Sequence, residues 1–418
     1  MFSNFTIKYT KLCFINVLSI MLFPIAAIID AAFLGNFDSR ESVAGMQMAS
    51  VILDFIYWSL IFLRLSINSL TAQAGNNKKA QSLILIRALI IGFILSFIIL
   101  IFRNIIGDIS FDVFFRGDES VEQLSRTYYD ILIWGTPMVL CTYCQFGWLL
   151  GKQKIVQVLW FSLMLNMINI VFDYIFIAKM GYGVAGAAWA LLIAQYTTVI
   201  ACFVYINKDI KWTKKGVFTG FANYFKMNSE LFIRNVILNV VFAAFTNISA
   251  EISTEVLAAN TVLLRLMSLS YFFYDGIAAT LETYAGRYYG RHKYEGIVRI
   301  LHLTLRITFA CTLVFLLLWE FGYNVAANFI LPDADILGIV ADYHHYVAVM
   351  VVLFAIASIY DGLFIGLGHS KTMLLSVALP FILYAVLLRH HPWGAFIAFM
   401  VMRSAWLVYT FHYKARGE

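Results

Sequence analysis

Asp30, Asn166, Asn169 and Asp173 are polar or charged residues set inside long apolar runs of this chain. An ionisable group at bilayer depth costs on the order of 2.5–3.5 kcal/mol on insertion scales, so each one calls for a reason. Asp30 follows Pro24 by six residues. Proline removes one hydrogen bond from a helical backbone, which leaves carbonyl oxygens near a carboxyl in low dielectric. Burial favours the neutral form of a carboxyl, and such a group can load and release a proton. The competing reading is a carboxylate in a helix-end salt bridge near the outer surface. Asn166, Asn169 and Asp173 are spaced by three, four and seven residues, which puts them on one helical face. There they can hydrogen-bond across a bundle and complete a network with Asp30, or act as polar glue between helices.

Other residues carry weaker signals. Arg64, Arg87, Arg234, Arg265, Arg306 and Arg403 are basic residues within apolar runs, and Asp54, Asp275, Glu282 and Glu320 are further acids. Asp275 and Glu282 lie seven apart, hence on one face; they either mirror the Asp30 site in the second half or pair with arginines. Arg64, Asn166, Asn260, Asp275 and Glu282 are candidates for a polar cavity lining. The 37 Phe and 23 Tyr offer faces for an aromatic or cationic compound, but none is assigned individually. Cys13, Cys141, Cys144, Cys202 and Cys311 all fall in apolar runs, and the single C-x-x-C has no second ligand pair, so they read as small helix residues with no metal or redox role. No H-E-x-x-H or G-x-S-x-G is present, and His344-His345 and His390-His391 sit near the ends of apolar runs. The glycines from Gly181 to Gly186 follow no strand and suit close helix packing rather than a nucleotide. An enzyme is not expected.

The elements that must position these residues follow from composition. Of 418 residues 61% are hydrophobic and 13% charged, with mean hydropathy +0.80. A soluble chain carries roughly 25% charged residues, so lipid must solvate much of this one. A spanning helix needs about 20 apolar residues. The pattern predicts twelve, at 11–35, 42–73, 82–106, 122–151, 155–179, 183–207, 228–250, 255–287, 297–321, 336–366, 370–389 and 391–413. The first, with Asp30 inside it, is too long for the apolar core of a cleaved signal. The net charge of +6 alternates along the chain. Lys8, Lys11, Lys78, Lys79, Lys152, Lys154, Lys208, Lys214, Lys215, Arg291, Lys293, Lys371 and Arg416 fall at the termini and alternate loops. The other loops hold only Arg40, Arg103, Arg116, Arg126, Lys179 and Arg389, with acids such as Asp108, Asp112, Asp118, Glu119, Glu251, Glu255, Asp333 and Asp335. By the positive-inside rule both termini are cytoplasmic, in a cell inner membrane. A nucleic-acid face would cluster its charge, and none is expected.

The halves look related. Gly75 and Gly290 end the second and eighth predicted helices, 215 residues apart; Gly147 and Gly151 find counterparts at Gly362 and Gly366 at the same offset. Ser39-Arg40-Glu41 matches Ser253-Thr254-Glu255 at 214. The expected fold is all-α and integral to the membrane, twelve helices in two pseudo-symmetric six-helix lobes. Residues 1–207 form the first lobe, 208–227 a cytoplasmic linker and 228–418 the second. Parallel repeats of this kind favour rocking of two lobes about a central cavity.

With these residues in view, the chain resembles the multidrug and toxic compound extrusion (MATE) family, specifically its DinF-like branch. The segments that carry the resemblance are Pro24 to Gly35 around Asp30, Phe62-Leu63-Arg64, Thr71 to Ala74, Gly147 to Gln153, Asn169 to Asp173, Gly183 to Ala188, Leu257 to Asn260, Asp275-Gly276 and Glu282. The resemblance implies a two-lobe monomeric exporter of small organic, often cationic or amphipathic compounds, driven by proton or sodium entry and needing no cofactor. It also implies that Asp30 is the protonation site, with Asn169 and Asp173 beside it. The branch has a second proline in its first helix where this chain has Ile15, so the resemblance does not extend to a proline-hinged bend there. Alternatives are sodium coupling, a lipid-linked saccharide flippase, for which the arginines look too few, or a channel, for which no filter-like segment appears.

Overall fold

The computed structural model describes residues 4–114, 119–213, 216–219, 221–330 and 334–414. Arg116, Asp118, Lys214, Lys215, Asp333 and Arg416 of the charge pattern lie outside them. Helices dominate, and no strand occurs among the described residues. This is the backbone's answer to a solvent without hydrogen bonds, since each helix satisfies its own N–H and C=O groups.

The elements are α1 (Asn4–Phe37), α2 (Arg40–Leu60), α3 (Phe62–Gln73), α4 (Lys78–Ile101), α5 (Arg103–Phe114), α6 (Glu119–Leu132) and α7 (Thr136–Gly151). Then come α8 (Ile155–Asp173), α9 (Gly183–Asn207), α10 (Phe221–Ile252), α11 (Thr254–Tyr289), α12 (Tyr294–Ile330), α13 (Ala334–Leu367), α14 (Ser370–Leu387) and α15 (Pro392–Lys414). Among the described residues eleven helical segments, α2 and α3 counted as one, are long and apolar enough to cross a bilayer. The remaining crossing expected at 122–151 is built from three consecutive pieces: α6, a 3-10 turn at Ile133–Gly135, and α7. Pro137 at the start of α7 has no N–H to continue the ladder. Thr136 Oγ1 donates to the Ile133 carbonyl at 2.6 Å within the tightened turn. α1 is helical throughout, across Ile15. α5 was not expected as a helix; Tyr129 Oη holds its first carbonyl, at Arg103, at 2.9 Å, and Arg126 on α6 reaches its Asp108 at 2.9 Å.

The helices pack as two units. The N-unit is Met21–Phe221, and the C-unit is Ala222–Glu418 together with Met1–Ile20. Within the C-unit, α1 contributes Asn16, whose Nδ2 donates to Thr280 Oγ1 at 2.7 Å, and Tyr9, whose hydroxyl bonds Thr304 at 2.6 Å. Gly276 makes that approach possible, because a Cβ there would stand 2.5 Å from Val17 Cα.

The repeat is visible in the packing. In the N-unit, a Cβ on Gly147 would lie 2.6 Å from the Arg64 carbonyl oxygen, and one on Gly151 2.7 Å from that of Asn68. In the C-unit, a Cβ on Gly362 would lie 2.5 Å from the Ala278 oxygen, and one on Gly366 2.5 Å from that of Glu282. Each contact in α3–α7 therefore recurs in α11–α13, partner for partner. Small residues allow this closeness where lipid supplies no hydrophobic drive between helices. Ser39 and Ser253 are matched N-caps, accepting from the N–H of Ser42 at 3.0 Å and Val256 at 3.1 Å. Outward, α4 shows Phe93, Ile94, Phe97 and Ile98, and α12 shows Phe309, Leu313, Leu317 and Leu318. Such continuous apolar faces suit lipid and not water.

Candidate functional site

The centre of the N-unit site is one amide shared by two carboxylates. α8 turns Ser162, Asn166, Asn169 and Asp173 toward the interior, and all four are buried. α1 brings Asp30, also buried, against them. Asn169 Nδ2 donates to Asp30 Oδ1 at 2.5 Å and to Asp173 Oδ2 at 2.8 Å. Asn166, one turn earlier, gives its Nδ2 to the Ser162 carbonyl at 2.8 Å. Asp173 is the last α-helical residue before a π-helical turn, Tyr174–Lys179. There the ladder slips, with Met180 N–H reaching Ile175 O at 3.0 Å and Tyr182 N–H reaching Phe176 O at 2.9 Å. Such widened turns are frequent at functional positions.

The acceptors outnumber the donors. Oδ1 of Asn166, Asn169 and Asp173 are buried oxygens without a hydrogen-bond partner. A buried polar atom left alone costs about 1–3 kcal/mol, so one carboxylate oxygen of the Asp30–Asp173 pair and the two amide oxygens on the same helix face ask for a positive species. A proton on a carboxyl or a small oxygen-loving cation such as Na⁺ would answer, and the same atoms fit either. Tyr128 on α6, bonded to Ser50, stands within electrostatic reach of both Asp30 and Asp173. No group of three or more His, Cys, Asp or Glu suited to a transition metal occurs among the described residues.

The remaining candidates fall elsewhere. Arg64 on α3 is half-buried and lies within electrostatic reach of Tyr143. Asn260 is buried; its Nδ2 donates to Ser249 Oγ at 2.8 Å and its Oδ1 accepts from Trp393 Nε1 at 3.0 Å. Asp275 on α11 is half-buried near Tyr271, and Glu282, two turns on, is buried where Gly366 packs against its backbone. Arg87 clamps the loop after α9, donating to Gly216 O at 2.7 Å and Val217 O at 2.6 Å.

The charged cluster that sequence reasoning missed is in the C-unit. Asp361 on α13 accepts through Oδ2 from Nη2 of both Arg234 on α10 and Arg403 on α15. All three are buried, and Arg234 also donates to Asn235 Oδ1 at 2.9 Å. The two arginines stood out as charges in apolar runs. Their shared partner, 127 and 42 residues away, left no local signal beyond being an acid in a span.

Comparison with known proteins agrees with this architecture. The MatE family model matches the chain twice, at residues 16–175 and 231–388, starts that lie 215 residues apart. The chain is 25% identical over 403 residues to the DNA damage-inducible protein F of Escherichia coli, covering 94% of this chain and 86% of that protein. It is 25% identical over 317 residues to the probable multidrug resistance protein NorM of Thermotoga maritima, covering 70% and 66%. The solved structure of a MOP superfamily transporter from Pyrococcus furiosus has the same fold, with a TM-score of 0.84 at 17% identity over 97% of this chain and 94% of that one. With two helical units repeating the same contacts, and the family model matching each half, the chain belongs to the MatE family of membrane transporters and is not an enzyme.

Proposed function

We propose that this protein exports small organic, often cationic, compounds by proton-coupled antiport, with Asp30 as the protonation site. The observation that carries the reading is the buried Asp30–Asn169–Asp173 group, in which one amide ties α1 to α8 through two carboxylates. A hydrogen bond to an ionised group is worth about 1.5–3 kcal/mol and a neutral one about 0.5–1.5. Protonating Asp30 therefore loosens the α1–α8 tie by roughly 1 kcal/mol or more, which biases the outer part of α1 toward rearrangement without supplying all of its energy. In this reading protonation from outside rearranges α1 and displaces the bound compound, and release of the proton inside resets the cycle. The name of the Thermotoga maritima relative, a probable multidrug resistance protein, supports a drug-like cargo. Lobes at 1–207 and 228–418 rock about the linker, both termini face the cytoplasm of a cell inner membrane, and the monomer is the working unit.

The same oxygens could hold Na⁺, so the test compares the two gradients. Drug efflux from proteoliposomes is followed under an imposed pH gradient or an imposed sodium gradient, for wild type and Asp30→Asn. Proton-coupled export predicts efflux driven by the pH gradient alone and lost in Asp30→Asn. Efflux unchanged in Asp30→Asn would sink the coupling role of Asp30. Efflux driven by sodium alone would transfer the site to Na⁺, and no efflux under either gradient would overturn the export reading.

A further inference from the structure

The segment that follows α9 is pinned to its neighbours, yet it keeps two large rings in the open. Arg87, within α4, donates to the carbonyls of Gly216, Val217 and Thr219 at 2.7, 2.6 and 2.5 Å. Ser82 Oγ accepts from the Lys211 N–H at 3.0 Å and donates to the Lys78 carbonyl at 2.7 Å. These bonds fix the segment to the first turns of α4. Ile210 and Val217 are buried beneath it, whereas Trp212 is 56% exposed and Phe218 75%. Trp212 is held in that exposed position. Its Nε1 donates to Asn207 Oδ1 at 2.9 Å, and its ring lies 6.1 Å from that of Phe203 between centroids.

The rings continue a face that meets lipid. Trp189, Tyr196, Ile200, Phe203 and Val204 are the exposed large apolar residues of α9. Steps of seven, four and three align them on one stripe of a crossing segment. Trp212 meets the last turn of that stripe, where aromatic rings settle between headgroups and acyl chains. The charge beside them has one sign. Lys78, Lys79, Lys208 and Lys211 are all exposed, and Lys208 Nζ stands 4.8 Å from the Tyr205 ring centre. Asp209 is the only acid in residues 55–107, 131–172 and 174–229, and Lys154 and Lys152 already hold it at 2.7 and 3.1 Å. The segments that build this end contain no second carboxylate for the four exposed lysines.

We propose that the surface formed by Lys78, Lys79, Lys208, Lys211 and Trp212 binds the headgroup of an anionic phospholipid. The lysines supply the counter-charge to its phosphate, and Trp212, with Phe218 on the same clamped segment, meets its glycerol region. An amphiphile fits this surface better than a soluble acidic partner does, because the basic patch runs directly into the apolar stripe of α9 and one lipid satisfies both. Basic residues beside a membrane surface attract anionic lipids additively, at about fivefold in affinity for each lysine. The clamp from Arg87 and Ser82 holds the segment in its binding geometry beforehand, so less ordering cost falls on the lipid. The site lies wholly in the N-unit and is separate from the Asp30 group.

The test titrates the purified full chain, in neutral detergent, with dioleoylphosphatidylglycerol or with the zwitterionic dioleoylphosphatidylcholine, and counts bound lipid by native mass spectrometry. Wild type should bind the anionic lipid about tenfold more tightly than the zwitterionic one. The pairs Lys78→Gln/Lys79→Gln and Lys208→Gln/Lys211→Gln should each weaken the anionic lipid by about tenfold or more and leave the other unchanged. The same pairs changed to Arg should stay within about threefold of wild type, which separates lost charge from misfolding. Trp212→Ala should weaken both lipids several-fold, since the ring serves the glycerol region and not the charge. Lys293→Gln/Lys371→Gln removes two exposed charges of the C-unit and should change nothing. Equal affinity of wild type for the two lipids, an equal loss in the C-unit pair, or unaltered binding in either N-unit Gln pair would each overturn the site. Displacement of the lipid by poly-glutamate, beyond that by sodium chloride at the same ionic strength, would give the surface to an acidic protein and overturn it too. No gradient enters the measurement, so failure of Asp30-dependent efflux leaves this result standing, and failure here leaves the coupling reading intact.

Discussion

Replacing Asp361 with Asn tests whether a charge cluster, and not apolar packing alone, holds the C-unit together. Its Oδ2 joins Arg234 and Arg403, and so ties α10, α13 and α15 at one buried point. Arg234 is 5% exposed, Arg403 4% and Asp361 9%, so water does not screen the group. Nε of both arginines and Oδ1 of Asp361 have no partner, which leaves the cluster little reserve when its acceptor goes. Breaking a buried pair by removing one member costs about 3–5 kcal/mol, mostly because the other charge remains uncompensated. For units of about 200 residues each kcal/mol moves Tm by roughly 2–4 °C, so Asp361→Asn should melt roughly 6–20 °C below wild type. A thiol-reactive fluorophore reports the transition, since the cysteines are free and all but Cys311 are buried. Replacing Cys141, Cys144 and Cys202 by Ala leaves Cys13 and Cys311 as reporters of the C-unit. The triple change Arg234→Met, Asp361→Leu, Arg403→Met removes all the charge and should recover most of the loss, because apolar replacements of buried ion pairs are often neutral or stabilising. A single variant melting within about 1 °C of wild type, or a triple variant melting below it, would refute the charge argument.

Two further outcomes follow from the packing and from the loops. Gly362→Ala sets a Cβ 2.5 Å from the Ala278 carbonyl oxygen and should cost about 1–3 kcal/mol through forced separation of α11 and α13; Gly322→Ala, with nothing within 4 Å, should be neutral or slightly stabilising, and equal melting of the two would contradict the close-packing account. In the loop after α9, Asp209 is held at about 2 by Lys154 Nζ and Lys152 Nζ, below its ordinary value of 3.8, at 2.7 and 3.1 Å. Because the folded value is the lower one, this contribution is complete above about pH 4 and is lost as pH falls toward 2. The Tm difference between wild type and Asp209→Asn should therefore be constant from pH 7 to about 5 and shrink below 4, whereas a difference that grows on acidification would reverse the sign of the argument.

Particular residues show how far the chain could be read without its structure. The face made by Asn166, Asn169 and Asp173 follows from helical periodicity, because a 3.6-residue repeat is a property of the backbone itself. α9 at Gly183–Asn207 coincides with the expected span, since lipid thickness sets both length and apolarity. The 215-residue repeat was legible as spaced glycines, and four of them, Gly147, Gly151, Gly362 and Gly366, sit where a neighbouring helix carbonyl leaves no room for a Cβ. Other features were not legible. The breaks at Ile61 and at Ile133–Gly135 fall inside continuous apolar runs, where hydropathy averages over local hydrogen-bond geometry.

By itself, then, the sequence determined solvent, span positions, repeat and the polar face of α8, because these depend on local composition and on the fixed geometry of a helix. Tertiary structure alone decided that Asn169 meets Asp30, 139 residues away, and that Asp361 serves two arginines from different helices. Those outcomes depend on which helices pack against one another. Helix pairing is selected by small-residue contacts between helices far apart in the chain, and no single segment contains that information.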